Sequence, residues 1–113
     1  MNIKEIRVQL NNIEKLRPAL KNLVDSYNKI VILGNGGSSS IASHISQDYT
    51  KALGKTSFTF SDSSRLTCYI NDYGMEHAYS QFLKEFADKE TLVVLISSSS
   101  GLLVFAADSL IVR

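Results

Sequence analysis

The segment "KIVILGNGGSSS" at residues 29–40 constrains the fold more than any other stretch of the chain. Its first half is a continuous apolar run rich in β-branched residues, which is typical of a strand covered on both faces. A glycine-rich loop and a helix-forming segment follow. Glycines let backbone N–H groups approach a ligand, and a helix N-terminus carries partial positive charge. The segment therefore predicts a buried parallel strand that ends in an anion-binding loop.

The rest of the chain alternates helix-like and strand-like segments. A stripe of apolar residues predicts a helix over residues 2–28, which packs on its own sheet or on a partner subunit. Pro18 either interrupts this helix or opens a second helical turn, since proline suits a first-turn position. The other expected elements are strands at 29–34, 57–61 and 91–97, a helix at 39–53 that Gly54 ends, a loop with a short helix at 62–74, and a helix at 75–87. This order predicts one α/β domain over residues 1–113, with an N-terminal helical region at 1–28 and a parallel-sheet core at 29–113.

The end of the chain does not fit this alternation. A parallel strand needs a crossover connection of about a dozen or more residues, but only Ser98 to Asp108 separate the third strand from the apolar run at 109–113. With residues 98–101 taken as a loop, residues 102–108 have room for about two helical turns. The pattern predicts either that the last run pairs differently or that a segment is missing and the core is truncated.

Composition excludes several function classes. The formal net charge is +1, so charge indicates no nucleic-acid partner. The lone cysteine, Cys68, rules out an internal disulfide, and its apolar neighbours predict a buried core thiol. No apolar stretch approaches the ~20 residues of a membrane span, and the charged N-terminus does not suit a signal peptide. We therefore expect a cytoplasmic protein without a membrane partner.

A second serine-rich segment, Ser97 to Ser100, closes the third strand. Ligands bind beyond the carboxyl ends of parallel strands, so this segment and the glycine loop are expected to share a pocket. Hydroxyl groups and backbone amides without a lysine suit a phosphomonoester held by hydrogen bonds. The alternatives are a tight turn with ordinary capping serines, a flexible serine loop, or a dinucleotide site, although Ser39 stands where the dinucleotide fingerprint has its third glycine.

Three motifs in order, "GNGGSSS…SHISQD", "SDSSRLTCYINDYG" and "LVVLISSS", resemble the SIS (sugar isomerase) domain, and within it the phosphoheptose isomerase family. That family interconverts sedoheptulose 7-phosphate and D-glycero-D-manno-heptose 7-phosphate. The resemblance covers about residues 1–100. It implies a flavodoxin-like parallel sheet flanked by helices, incomplete at the C-terminal end, with N-terminal helices that help to build a homotetramer.

The resemblance also assigns roles to individual residues. His44 and, four residues on, Asp48 match a histidine and a glutamate that the family uses in catalysis and that bind zinc in some members. The residues that match the family's substrate-binding positions are Asn35, Gly36, Gly37, Ser38, Asn71, Asp72, Ser97, Ser98 and Ser99. A phosphorylated sugar is the implied ligand, and zinc is the implied cofactor.

Two departures from the family bear on catalysis. Aldose–ketose isomerisation moves a proton between C1 and C2 and needs a base and an acid partner. His44 and Asp48 share a helix face, where they form either such a site, a pair of metal ligands or a solvated pair. Asp48 is one methylene shorter than the family's glutamate, and a misplacement of ~1 Å costs on the order of 100-fold in rate. No residue matches the histidine and glutamine of the family's C-terminal helix.

The sequence therefore predicts an isomerase-like protein of the phosphoheptose type that turns over slowly or not at all as written. The alternative is a non-catalytic SIS module that senses a sugar phosphate or binds a protein partner.

Overall fold

The computed structural model describes residues 3–97 and 101–106, and the side chains of 14–97, 101 and 104. The elements are, in chain order, α1 (Ile3–Ser26), β1 (Lys29–Gly34), α2 (Gly37–Leu53), β2 (Thr56–Phe58), α3 (Ser63–Tyr73), α4 (Met75–Phe86), β3 (Thr91–Ser97) and β4 (Gly101–Ala106). The α/β class and the order of the first three strands agree with the sequence-based prediction.

The strands form one sheet in the order β2-β1-β3-β4. β1 is parallel to both β2 and β3, whereas β4 runs antiparallel to β3, with Ser97 opposite Gly101. The parallel-sheet prediction therefore holds for three strands and is wrong for the fourth. Residues 102–106 belong to a strand and not to a helical turn, because an antiparallel neighbour needs only a short connection. The apolar run at 109–113 lies outside the described residues, so its pairing stays a prediction.

Helices cover both faces of the sheet, which explains the continuous apolar runs in β1 and β3. Side chains alternate along a strand, so Val31 and Val93 pack with α4, whereas Ile30 and Leu92 pack with Ala42 of α2. All of these residues are buried. Burial of each large aliphatic side chain contributes about 1.5–3 kcal/mol, and this core holds the carboxyl ends of β1 and β3 side by side.

α1 runs through Pro18 as one helix, so the proline neither interrupts nor divides it. Its apolar stripe is only partly covered by its own sheet. Val24, near the C-terminal end, packs against the sheet face, but Leu16 and Leu23 are 57% and 39% exposed. In the part of the chain that the structure describes, no helix is both long and apolar enough to cross a membrane.

α2 starts at Gly37, two residues before the predicted start, because the loop closes directly into the first helical turn. Its predicted end is confirmed. Gly54 adopts a left-handed conformation with φ 68°, and its N–H donates to the Thr50 carbonyl.

α3 is a helix of 11 residues where the sequence predicts a loop with a short helix, and Asp62 caps it by accepting from the Arg65 N–H. Leu66 and Ile70 turn toward the core at helical spacing. Cys68 lies on a different face of the helix and is exposed, so the prediction of a buried thiol is wrong. Its hydrogen bond to the Asp72 carboxylate raises the pKa of Cys68.

Candidate functional site

The junction between β1 and α2 requires glycine at two positions. A Cβ on Gly34 would lie 2.7 Å from the carbonyl carbon and oxygen of Ser38, which is too close for any side chain. Gly36 has φ 57° and ψ −124°, a backbone conformation that residues with a Cβ rarely adopt. The loop therefore brings the strand end against the first turn of the helix more closely than other residues permit.

Part of the helix N-terminus is already hydrogen-bonded within the loop. The N–H of Ser38 donates to the Asn35 carbonyl and that of Ser39 to the Gly36 carbonyl, both at 3.0 Å. The first N–H groups of a helix have no intrahelical acceptor, so these two are satisfied by the turn.

A cavity of about 520 Å³ lies at the carboxyl ends of β1 and β3, beside α4. We call it the Tyr79 cavity. It is lined by Leu33, Gly34, Asn35, Ser38, Glu76, Tyr79, Ser80, Leu83, Leu95, Ile96 and Ser97. Asn35 and Ser38 come from the glycine loop, whereas Ser97 comes from the start of the serine segment. The carboxyl ends of β1 and β3 thus contribute residues to the same cavity.

One hydrogen bond crosses from α4 to the glycine loop. The Tyr79 hydroxyl donates to Asn35 Oδ1. The Tyr79 ring packs edge-on against the buried Phe60 ring, with 5.2 Å between centroids. Burial raises the pKa of Tyr79, so its hydroxyl keeps its proton and remains a donor at neutral pH.

The sequence motifs assign no role to the α4 residues that line this cavity. Glu76, Tyr79, Ser80 and Leu83 follow the spacing i, i+3, i+4 and i+7, and therefore lie on one face of the helix. That spacing is the signal in the sequence that could have indicated them. It does not reveal which element the helix face meets.

A second cavity of about 520 Å³ lies against α2, and we call it the His44 cavity. It is lined by Gly36, Ser39, Ser40, Ser43, His44, Gln47 and Ser61. The described side chains that line it are polar, with serine hydroxyls, a carboxamide and an imidazole. It shares no lining residue with the Tyr79 cavity, although both contain residues of the same glycine loop.

His44 and Asp48 face each other on α2 as the spacing predicts. Their Nε2 and Oδ2 atoms are 3.3 Å apart, and the side chains are 80% and 59% exposed. Exposed ion pairs contribute little to stability, about 0–1 kcal/mol, so solvent competes with this contact. An imidazole beside a carboxylate can exchange a proton with a nearby group. The structure nevertheless places the pair away from the Tyr79 cavity lining.

The described residues do not by themselves fit a resident zinc ion. Zinc sites in proteins use three or four protein ligands, and His44 with Asp48 supplies two. No group of three His, Cys, Asp or Glu residues able to hold a metal ion occurs in the described part of the chain. Zinc at His44 and Asp48 therefore stays a prediction that needs at least one further ligand.

The remaining predicted contacts lie elsewhere. Asn71 and Asp72 are exposed on the last turn of α3, where the Asn71 side chain donates to Asp72 Oδ1 at 3.2 Å. Neither is among the described residues that line the two cavities. Ser98 and Ser99 lie outside the described residues, so their predicted contact with the phosphate stays a prediction.

Several curated phosphoheptose isomerases are similar in sequence to most of the chain. It is 32% identical to the phosphoheptose isomerase of Fusobacterium nucleatum in an alignment of 93 positions that covers 78% of this chain and 48% of that protein. It is 30% identical to that of Cytophaga hutchinsonii over 88% of this chain and 55% of the relative. It is 33% identical to that of Helicobacter pylori over 80% of this chain and 54% of the relative.

The chain is similar to phosphoheptose isomerases. It spans about half the length of the curated relatives it matches. No protein-family model matches it, and no solved structure matches it.

Proposed function

We propose that the chain binds a phosphorylated sugar in the Tyr79 cavity, as part of a protein of the phosphoheptose isomerase type. One observation carries the proposal. Asn35 and Ser38 at the junction of β1 and α2 line the same cavity as Ser97, the last residue of β3, at the carboxyl ends of two neighbouring parallel strands. Ligands of parallel α/β sheets bind at this edge. The similarity to phosphoheptose isomerases supports a sugar phosphate as the ligand.

The charges of the cavity favour one orientation of such a ligand. Among the described lining residues, Glu76 is the charged side chain and the other polar groups are neutral. Ser38 offers a hydroxyl donor to a phosphate, which the Glu76 carboxylate repels. That carboxylate instead accepts hydrogen bonds from sugar hydroxyls. We therefore expect the phosphate to lie nearer to Ser38 than to Glu76.

The second part of the proposal concerns the isomerisation reaction. We propose that His44 and Asp48 transfer the proton between C1 and C2 of sedoheptulose 7-phosphate. Both side chains are exposed, and they do not share a cavity with Ser38. Binding of the phosphate in the Tyr79 cavity is therefore independent of the pair. Turnover by the pair requires the C1–C2 end of the sugar to extend from that cavity to within hydrogen-bond reach of His44 and Asp48.

Association into a homo-oligomer also belongs to the proposal. Leu16 and Leu23 leave part of the α1 stripe exposed, which supports packing against a second copy. Sedimentation velocity on the protein used for the binding experiments measures this association.

A thermal-shift titration with sedoheptulose 7-phosphate tests the binding proposal. A ligand at a hundredfold excess over its Kd stabilises the folded state by about 2.7 kcal/mol, so a clear rise in Tm is expected. Unphosphorylated sedoheptulose and inorganic phosphate serve as the matched controls, and each should shift Tm less. An isomerase assay with and without zinc then separates binding from turnover.

The outcomes of the two assays discriminate between the functions. Turnover that is lost in Asp48→Ala supports the isomerase. A thermal shift without turnover supports a module that binds the sugar phosphate without converting it. No shift with any sugar phosphate contradicts both.

A further inference from the structure

We propose that Tyr79 is a positioning residue of the sugar-phosphate site, which fixes the Asn35 amide so that its NH₂ group donates to the ligand. The inference rests on the proposed function. It adds a residue from α4 to a site that the sequence motifs assign to other segments.

The hydrogen bond decides which end of the amide is available. A carboxamide has an acceptor oxygen and a nitrogen with two donor hydrogens. The Tyr79 hydroxyl donates to Asn35 Oδ1, so the oxygen is occupied and Nδ2 is left for other partners. Asn35 is exposed and lines the cavity. Two N–H donors suit a phosphate or a sugar oxygen, whereas an exposed carbonyl oxygen would repel a phosphate.

Tyr79 is held more firmly than Asn35. Its neighbour Ala78 and the next-turn residue Phe82 are buried, and its ring packs on the buried Phe60. Asn35 lies in an exposed loop, where its side chain would otherwise sample several rotamers. Ordering a side chain only when the ligand binds costs conformational entropy, and a contact made in advance reduces that cost. The hydrogen bond from the Tyr79 hydroxyl therefore restricts the rotamers of the Asn35 side chain in the loop.

Tyr69 provides a matched control within the same cluster. Its ring also packs edge-on against Phe60, with 5.3 Å between centroids compared with 5.2 Å for Tyr79. Its hydroxyl bonds to Glu85 and not to the loop. Tyr69→Phe and Tyr79→Phe therefore remove the same group from equivalent rings, and only Tyr79→Phe affects Asn35.

The first arm of the test examines the free protein. The side-chain NH₂ resonances of Asn35 are recorded by ¹⁵N–¹H correlation NMR and assigned by their loss in Asn35→Asp. Tyr79→Phe is expected to move this pair of resonances, while Tyr69→Phe leaves it in place. The readout needs no ligand, so it does not depend on the proposed function.

The second arm is a double-mutant cycle on binding of sedoheptulose 7-phosphate, measured by isothermal titration calorimetry. One hydrogen bond contributes about 0.5–1.5 kcal/mol net, so Tyr79→Phe should raise Kd roughly fivefold. Tyr79→Phe in an Asn35→Ala background should change Kd by less than about twofold, because the amide through which Tyr79 acts is gone. A residue with a purely structural role would weaken binding equally in both backgrounds.

The two proposals fail in different ways. If the wild type binds the sugar phosphate but the Asn35 resonances do not move in Tyr79→Phe, the Tyr79 proposal is overturned alone. Equal effects of Tyr79→Phe in both backgrounds overturn it as well. If the wild type does not bind, the proposed function is overturned, and the role of Tyr79 in binding falls with it.

Discussion

Polar groups have different surroundings at the two edges of the parallel sheet, which are formed by the amino ends and the carboxyl ends of its strands. At the amino edge, the groups bond to one another. Asp88 Oδ1 accepts from the Glu90 N–H at 2.9 Å and from the Thr91 hydroxyl at 3.0 Å, and Asp88 Oδ2 lies 3.6 Å from Lys29 Nζ. At the carboxyl edge, Asn35 and the neighbouring serines line cavities of about 520 Å³.

This difference indicates which residues serve stability and which serve binding. A turn whose donors and acceptors are paired has few groups left to bind a ligand. Hydroxyl and amide groups that line a cavity can bind one. Changes at the carboxyl edge should therefore alter binding, and changes at the amino edge should alter stability alone. The predictions below test that division, from the largest expected effect to the smallest.

The largest effect is expected for Gly34→Ala. The new Cβ would overlap the Ser38 backbone, so the strand end and the helix start must move apart. Overpacking of this kind costs about 1–3 kcal/mol, and we expect a loss of that size in urea-induced unfolding together with at least about tenfold weaker sugar-phosphate binding. Gly37→Ala is the matched control, since a Cβ there meets nothing within 4 Å. Equal behaviour of the two variants would contradict the close approach at Gly34.

Ser38→Ala should weaken binding while leaving stability nearly unchanged. A hydrogen bond to a charged group contributes about 1.5–3 kcal/mol, so removal of the hydroxyl should raise the Kd for the sugar phosphate roughly tenfold. His44→Ala alters the other cavity and should leave Kd within about twofold while abolishing any turnover. Titration calorimetry measures both. A larger loss of binding in His44→Ala than in Ser38→Ala would move the ligand to the His44 cavity.

The smallest effect is expected at the amino edge and depends on pH. The Glu90 N–H, the Thr91 hydroxyl and Lys29 together lower the pKa of Asp88. A lowered pKa in the folded state adds stability above the ordinary carboxyl value of about 3.9, and that stability is lost as the pH falls through the folded-state pKa. Urea unfolding at pH 6 and pH 3 should therefore show a smaller pH dependence in Asp88→Asn than in the wild type. Sugar-phosphate binding at pH 7 should be the same in Asp88→Asn and the wild type. A clear loss of binding would contradict the assignment of stability to the amino edge and of binding to the carboxyl edge.

Much of the fold could be predicted because burial leaves a pattern in the sequence. Continuous apolar runs identified β1 and β3, and Gly54 marked the end of α2. β4 could not be predicted, since a short apolar run fits either a strand or a buried helix and the hydrogen-bonding partner decides. The length of α3 was underestimated because its sequence also carries a weak pattern. Its core contacts come from a few residues on one face, between polar neighbours.

Some features of the candidate site could likewise be predicted from the sequence, and others could not. The nearness of Ser38 and Ser97 could be predicted, because parallel strands bring their carboxyl ends to one edge. The bond from Tyr79 to Asn35 joins residues 44 positions apart and depends on how α4 packs on the sheet. The separation of His44 from the Tyr79 cavity depends on the direction in which one face of α2 points. Spacing along a helix does not contain that information.

Backbone chemical-shift mapping during a titration with sedoheptulose 7-phosphate tests the central claim most directly. A sugar phosphate in the Tyr79 cavity should shift the amide resonances of Asn35, Ser38, Tyr79 and Ser97, and should leave those of Glu90 and Thr91 in place. Absence of shifts at saturating ligand, or shifts confined to Ser43, His44 and Gln47, would contradict the claim.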